Sequence, residues 1–243
     1  MSSTVAAAAL SGLVFGTFMV THLLGHFSTH FGLEANRKVL AVTQPVYQHP
    51  LVEMILMGSF MTHSALAVLK KTAEWRKKGR IVLPWDEPAK LAHQLSGWTL
   101  MMLVPGHAFA TRGVTWYYGF APVDSSYTNV GALTFPRVVM TYYITFSLAA
   151  VTHIVSGCAR AARALAPKLK AWHPAMSGPR FWLTVVPLGL LATSSVLAVS
   201  GVYFDLGVEP EVRAAIIKSY KRYWPEALAA YLVESPPAMH VKG

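Results

Sequence analysis

A single cysteine, Cys158, among 243 residues removes several classes of chemistry at once. A lone thiol forms no intrachain disulfide, and it builds neither a thiolate metal cluster nor an iron–sulfur centre. Acidic residues are also scarce, 11 against 21 Lys and Arg, and charged residues of both signs make up only 13% of the chain. Long stretches have no charge at all: none before Glu34, none from Val138 to Gly157 and none from Phe181 to Phe204. Each is long enough to cross a hydrocarbon core of roughly 30 Å.

What is present is apolar, 53% of the residues. Two further runs fit between the charge-free ones: Pro50 to Leu69 carries only Glu53, and His93 to Thr111 carries no Asp, Glu, Lys or Arg. The chain is therefore expected to be an all-α membrane bundle of five spans, at about 5–27, 50–70, 91–111, 138–160 and 181–204. Those spans form one domain, 1–207, followed by an amphipathic tail, 208–243. The first span has no Lys or Arg ahead of it and exceeds signal-peptide length, so it is read as retained.

The net charge of +10 does not point to nucleic acid, because the basic residues are sorted by loop instead of gathered with aromatics. After the second span come Lys70, Lys71, Arg76, Lys77, Lys78, Arg80 and Lys90; after the fourth come Arg160, Arg163, Lys168, Lys170 and Arg180. The opposite loops hold Arg37, Lys38, Arg112 and Arg137. This asymmetry predicts the N-terminus and both basic loops inside, in cytosol or matrix, and the C-terminus outside.

Between the spans, residues 32–48 predict a short surface helix ended by Pro45, and residues 72–90 a basic linker. The stretch 113–136 is rich in aromatics at Trp116, Tyr117, Tyr118 and Phe120, and predicts an interfacial cap over the outer side. The fifth span carries no histidine and is read as closing the bundle. Residues 208–234 alternate charged and apolar positions at helical spacing, as a helix lying along the outer surface does.

Chemistry enters with His22, His63, His107 and His153, one in each of the first four spans. Ser11 and Gly12 precede His22 at the same distance at which Ser96 and Gly97 precede His107. The eleven residues from serine to histidine are just over three helical turns, so serine, glycine and histidine share one broad face. A bis-imidazole haem site needs such a face: the glycine lets a flat macrocycle approach the backbone while the histidine reaches the iron. The stripe of Ala8, Gly12 and Gly16 serves equally well for close helix packing.

Depth sorts the histidines into pairs. The first and third spans run outward, with His22 and His107 near their outer ends. The second and fourth run inward, with His63 seven residues before Lys70 and His153 seven before Arg160. Two haems stacked across the membrane are expected, an outer one on His22 and His107, marked by the Ser-Gly pairs, and an inner one on His63 and His153. The ordinary role of a lone membrane histidine is an interhelical hydrogen bond, but four at matched depths match two ligand pairs. The succession of Ser-Gly, histidine and histidine in spans one and two recurs in three and four, which suggests an internal duplication.

A competing reading takes His22, His26 and His30 as a histidine box of a di-iron oxygenase, but few further ligands lie near the outer level. His26 is then a propionate partner or a replacement for His22. Arg112 and Arg137 outside, and Lys70 or Arg160 inside, are candidate propionate partners. Glu53 is read as an interface carboxylate facing water.

The run His22-Leu-Leu-Gly-His-Phe-Ser-Thr-His-Phe-Gly, then Glu34-Ala-Asn-Arg-Lys and the histidine spans two to four, resembles the five-helix, di-haem cytochrome b anchor of succinate dehydrogenases and fumarate reductases. The resemblance covers about residues 8 to 165. It implies that His22 pairs with His107 and His63 with His153, and that the chain passes electrons between quinone and a soluble dehydrogenase. With no dinucleotide fingerprint and no cysteine framework here, flavin and iron–sulfur clusters belong to partner subunits. The chain alone oxidises no substrate. His93-Gln-Leu-Ser-Gly and Gly106-His-Ala-Phe-Ala-Thr-Arg also resemble a group of eukaryotic mitochondrial membrane proteins. That likeness implies the mitochondrial inner membrane, with a bacterial cytoplasmic membrane as the other location. It also implies another role, an accessory or structural subunit that keeps the haem fold without respiratory turnover.

Overall fold

A computed structural model describes residues 3–80, 83–113, 125–165, 178–203 and 206–223. Every element assigned among them is helical. Five long helices correspond to the expected spans: α1 Ser3–Phe27, α3 Pro50–Lys78, α4 Pro88–Ala108, α6 Pro136–Leu165 and α7 Pro179–Val199. Three shorter ones complete the set: α2 Leu33–Tyr47, α5 Ser125–Thr134 and α8 Pro210–Tyr223.

Among the described residues, four helices are long and apolar enough to cross a membrane: α1 with the 3₁₀ turn Ser28–Phe31 that continues it, α3, α6 and α7. Their apolar surface is largely unburied, and α3 has no buried residue at all. Such a surface is a lipid-facing one, since water would penalise it along its whole length. The remaining long helix, α4, has the length but is diluted by His93, Gln94 and His107. His93 and His107 turn inward, beside His153 of α6 and His22 of α1.

Packing is organised around α1 and α6. The first rests on α3 and α6; the second also carries α4 and α7. Small residues allow the contacts to be close, with Ser147, Ala149, Ala150, Val151, Val155 and Ser156 of α6 all buried. Phe181, fully buried on α7, packs with Val151, Val155 and Val185.

Two boundaries differ from the sequence expectation. The second span does not give way to a linker at residue 72; α3 runs on to Lys78 and stops at Gly79, whose φ of 68° is a left-handed closing geometry. Nothing between Lys70 and Lys78 breaks a helix, and the charged side chains there need only reach water. Pro45 lies within α2 and does not end it, because a proline near the last turn removes one backbone donor and the chain continues to Tyr47. In the stretch 113–136, the aromatic residues Trp116, Tyr117, Tyr118 and Phe120 lie outside the described residues, whereas its second half forms α5. Seven of the ten α5 residues are buried; the aromatic segment on which the expected cap rests lies outside the described residues.

Beyond the last turn of α1, α5 and α8 meet α2. Leu33, Val130, Leu206 and Val208 form a small core, against which Ile216 and Ile217 of α8 pack. The described part of the tail helix thus meets this core through Ile216 and Ile217. Residues 224–234 of the expected helix lie outside the described residues.

Candidate functional site: two histidine chambers

The inner pair is built from four helices. His63 projects from α3 and His153 from α6, with ring centroids 6.0 Å apart and planes at 84°. Each ring is held in the same way. Nδ1 of His63 donates to the carbonyl of Ala8, 2.9 Å, and Nδ1 of His153 donates to the carbonyl of His93, 3.1 Å. A carbonyl only accepts, so both imidazoles carry a proton on Nδ1, which leaves Nε2 as the nitrogen available to a metal in the neutral ring. Metal-ligating histidines are oriented by such bonds, which also raise their basicity.

Ala8 and His93 occupy equivalent places, each three residues before the serine of its Ser-Gly pair. The glycines complete the repeat. A Cβ on Gly12 would lie 2.9 Å from Cε1 of His63, and one on Gly97 would lie 2.8 Å from Cε1 of His153. Both values are below any real contact, so only glycine admits these rings. Helices α1 and α3 therefore form one unit and α4 and α6 a second, with the same carbonyl, serine, glycine and imidazole arrangement. Ser11 bonds back to the Ala7 and Ala8 carbonyls, and Ser96 to that of His93.

This geometry corrects the assignment of the Ser-Gly pairs. They do not mark the outer pair; they cradle the inner one. Ten residues separate Gly12 from His22 and Gly97 from His107, roughly 15 Å along the helix axis. A shared face is thus not a shared depth, and the glycine meets the histidine of the neighbouring helix.

His93 joins the inner site as well, although its sequence context had not singled it out. Its ring stacks on that of His153 at 4.2 Å and 8°, and its Nδ1 pairs with Ser156 Oγ at 2.9 Å. The available signal was spacing: His93 precedes Gly97 by four residues, on the same helical face. A cavity of about 600 Å³ opens between these side chains, lined by Gly12, Gly16, His63, Gly97 and His153, with Lys70 and Arg160 among its lining residues.

The outer pair is His22 of α1 and His107 of α4, with ring centroids 5.9 Å apart at 72°. His26 stands one turn on from His22, and their Nε2 atoms are 3.2 Å apart. Nδ1 of His107 is buried and finds no partner among the described residues. Tyr143 and Phe146 of α6 wall the His107 ring. The outer cavity measures about 310 Å³ and contains His22, His26, His107, Thr128 and Tyr143 in its lining. Met19 and Ala150 line both cavities.

Arg112 is engaged elsewhere. It lies in a π-helical turn, Phe109–Gly113, and its guanidinium binds Glu53 of α3 through Nε and through Nη2 at 3.3 Å. Glu53 is accordingly no water-facing carboxylate; its side chain is 14% exposed. Neither Arg112 nor Arg137 lines the outer cavity. His30 turns away from His22 and His26, with Nε2 on Ser194 of α7 at 2.9 Å and Nδ1 on the Phe27 carbonyl. Among the described residues, no group of three or more His, Cys, Asp or Glu is arranged to hold a bare metal ion.

Two facing imidazoles suit a different occupant. Ring centroids about 6 Å apart would suit a group held by one nitrogen from each ring. The donor set, the fixed Nδ1 tautomers and a cradle that a Cβ would fill make the inner chamber fit a bis-histidine haem. At the outer pair the ring separation suits such a group, within a cavity about half the size, but Nε2 of His22 is 3.2 Å from Nε2 of His26, so His26 must turn aside before His22 can offer that nitrogen. No family model, no curated protein and no solved structure matches the chain.

Proposed function

We propose that the chain is a membrane cytochrome b that holds two b haems, an inner one on His63 and His153 and an outer one on His22 and His107. The observation that carries this reading is the repeated inner geometry, two opposed imidazoles whose Nδ1 protons are both committed to backbone carbonyls. When bound, the haems supply reversible one-electron chemistry.

The chain's own residues hold, space and insulate. Ala8 and His93 fix the tautomers of the inner ligands, Gly12 and Gly97 set how closely the rings approach, and Lys70 and Arg160 are the cations that line the inner cavity. Phe146 gives the outer ring an apolar wall, and Met19 is buried where the two cavities come together. The resemblance to dehydrogenase anchors, with the basic loops on one side, supports electron passage between a quinone and a flavin and iron–sulfur dehydrogenase docked inside. The separate likeness of the His93-Gln-Leu-Ser-Gly and Gly106-His-Ala-Phe-Ala-Thr-Arg stretches to eukaryotic mitochondrial membrane proteins favours the mitochondrial inner membrane, and the five-helix resemblance makes α4 a fifth span.

The smaller outer cavity favours a second reading, an accessory membrane protein that keeps the inner haem without respiratory turnover. Partners separate the two: dehydrogenase subunits that co-purify from native membrane support the first, and a haem-loaded chain in another assembly supports the second. The direct test is a reduced-minus-oxidised spectrum with haem quantification on the purified chain. Two b haems per chain are expected; a colourless, folded chain overturns the proposal.

A further inference from the structure

A third cavity lies apart from the histidine chambers, at the basic end of the cleft between α3 and α4. These helices are consecutive in sequence, yet α3 packs on α1 and α4 on α6. The cleft between them holds about 200 Å³. Its walls change character with depth. Lys78, Trp75, Lys71 and Val68 succeed one another at helical spacing along α3, from the charged end toward the apolar centre. Arg80 closes the rim, and Trp98 of α4 lines the apolar part.

The polar groups of this cavity are unevenly satisfied. Lys71 is neutralised by Glu74 at 2.9 Å, while Lys78 and Arg80 have no ion-pair partner among the described residues. Gln94 lines the same cavity, with a side-chain oxygen buried and unbonded. Beyond the cavity, the outward face of α3 continues as an apolar track: Val68, Met61 and Met54 recur every seven residues and all are exposed.

We propose that this cavity receives the headgroup of an anionic phospholipid from the leaflet on the basic side. The order of the walls matches that of the molecule. Lys78 and Arg80 face the phosphate, the unbonded oxygen of Gln94 accepts from a headgroup hydroxyl, Trp75 sits at the interfacial level, and Trp98 with the Met61–Val68 track takes an acyl chain. A soluble anion would use the rim and leave the aromatic and apolar walls idle. The site does not depend on haem in either chamber.

The test is native mass spectrometry of the purified full-length chain in mild detergent, titrated with phosphatidylglycerol, phosphatidylcholine or inorganic phosphate. One phosphatidylglycerol per chain is expected at concentrations where phosphatidylcholine is not retained. The double variant Lys78→Gln, Arg80→Gln should weaken retention roughly tenfold or more. Arg76→Gln with Lys77→Gln removes the same charge from outside the cavity and should leave retention unchanged, with far-ultraviolet circular dichroism confirming that both variants fold. Equal loss in the two double variants, equal retention of phosphatidylcholine, or displacement of the lipid by millimolar phosphate would each overturn the proposal.

Discussion

Gly97 and His153 stand so close that a methyl group on the glycine would lie 2.8 Å from the imidazole Cε1. The ring cannot withdraw without loosening its bond to the His93 carbonyl. Gly97→Ala is therefore expected to destabilise the fold by about 1–3 kcal/mol, the usual range for overpacking. The same change at Gly106, where no neighbour lies within reach of a Cβ, is the control. Thermal unfolding in detergent reads both, and equal stability of the two variants would remove the cradle from the argument.

Separate chambers predict separate losses. His63→Ala or His153→Ala should take the haem content from two per chain to one, while His22→Ala or His107→Ala should remove the other. Pyridine haemochrome quantification with low-temperature spectra distinguishes the two residual species. Loss of both haems from every single variant would mean that the pairs are not independent. Retention in His22→Ala with loss in His26→Ala would transfer the outer ligand one turn along α1.

The ion pair between Glu53 and Arg112 ties α3 to the turn that follows His107. Glu53→Gln leaves the guanidinium without its counter-charge in a confined place. The expected cost is on the order of 2 kcal/mol, less than a fully sequestered pair loses, since both side chains keep some solvent contact. A double-mutant cycle with Arg112→Gln, followed by thermal unfolding, measures the coupling; a value near zero would make the contact incidental.

Acid should loosen the tail helix. The carboxyl of Glu209 is held below the usual carboxylate range by its own backbone N–H and then by Arg37, 3.5 Å away on α2. A lowered folded value means that the contribution is present above the ordinary carboxylate pKa and is lost as the pH falls through the folded one. Both groups are about half exposed, so the effect is small and screened by salt. Protection from hydrogen exchange across Pro210–Tyr223, taken relative to the intrinsic exchange rate at each pH, should fall below the usual carboxylate range, and that fall should be absent in Glu209→Gln.

Much of the fold was legible in charge-free runs, because a hydrocarbon core tolerates few ionised groups and the five long helices fall where those runs lie. The end of α3 was not, since Lys70 to Lys78 are as helical as they are basic. The burial of α5 was hidden too: Ser125, Ser126, Thr128 and Asn129 are polar, yet all are buried. At the candidate site, the pairing of His63 with His153 and of His22 with His107 followed from counting residues to the flanking charges. The partner of each glycine did not, because periodicity along one helix says nothing about register against the next. Only contacts between helices place Gly12 beside His63 instead of His22.

Met19 and Ala150 belong to the walls of both chambers. The partition between the levels is in that region one side chain thick, so neither chamber can be retuned by itself there. A bulkier residue at position 150, or a polar one at 19, would shift the polarity and free space of both compartments together, making this pair of positions a common control for two otherwise separate sites.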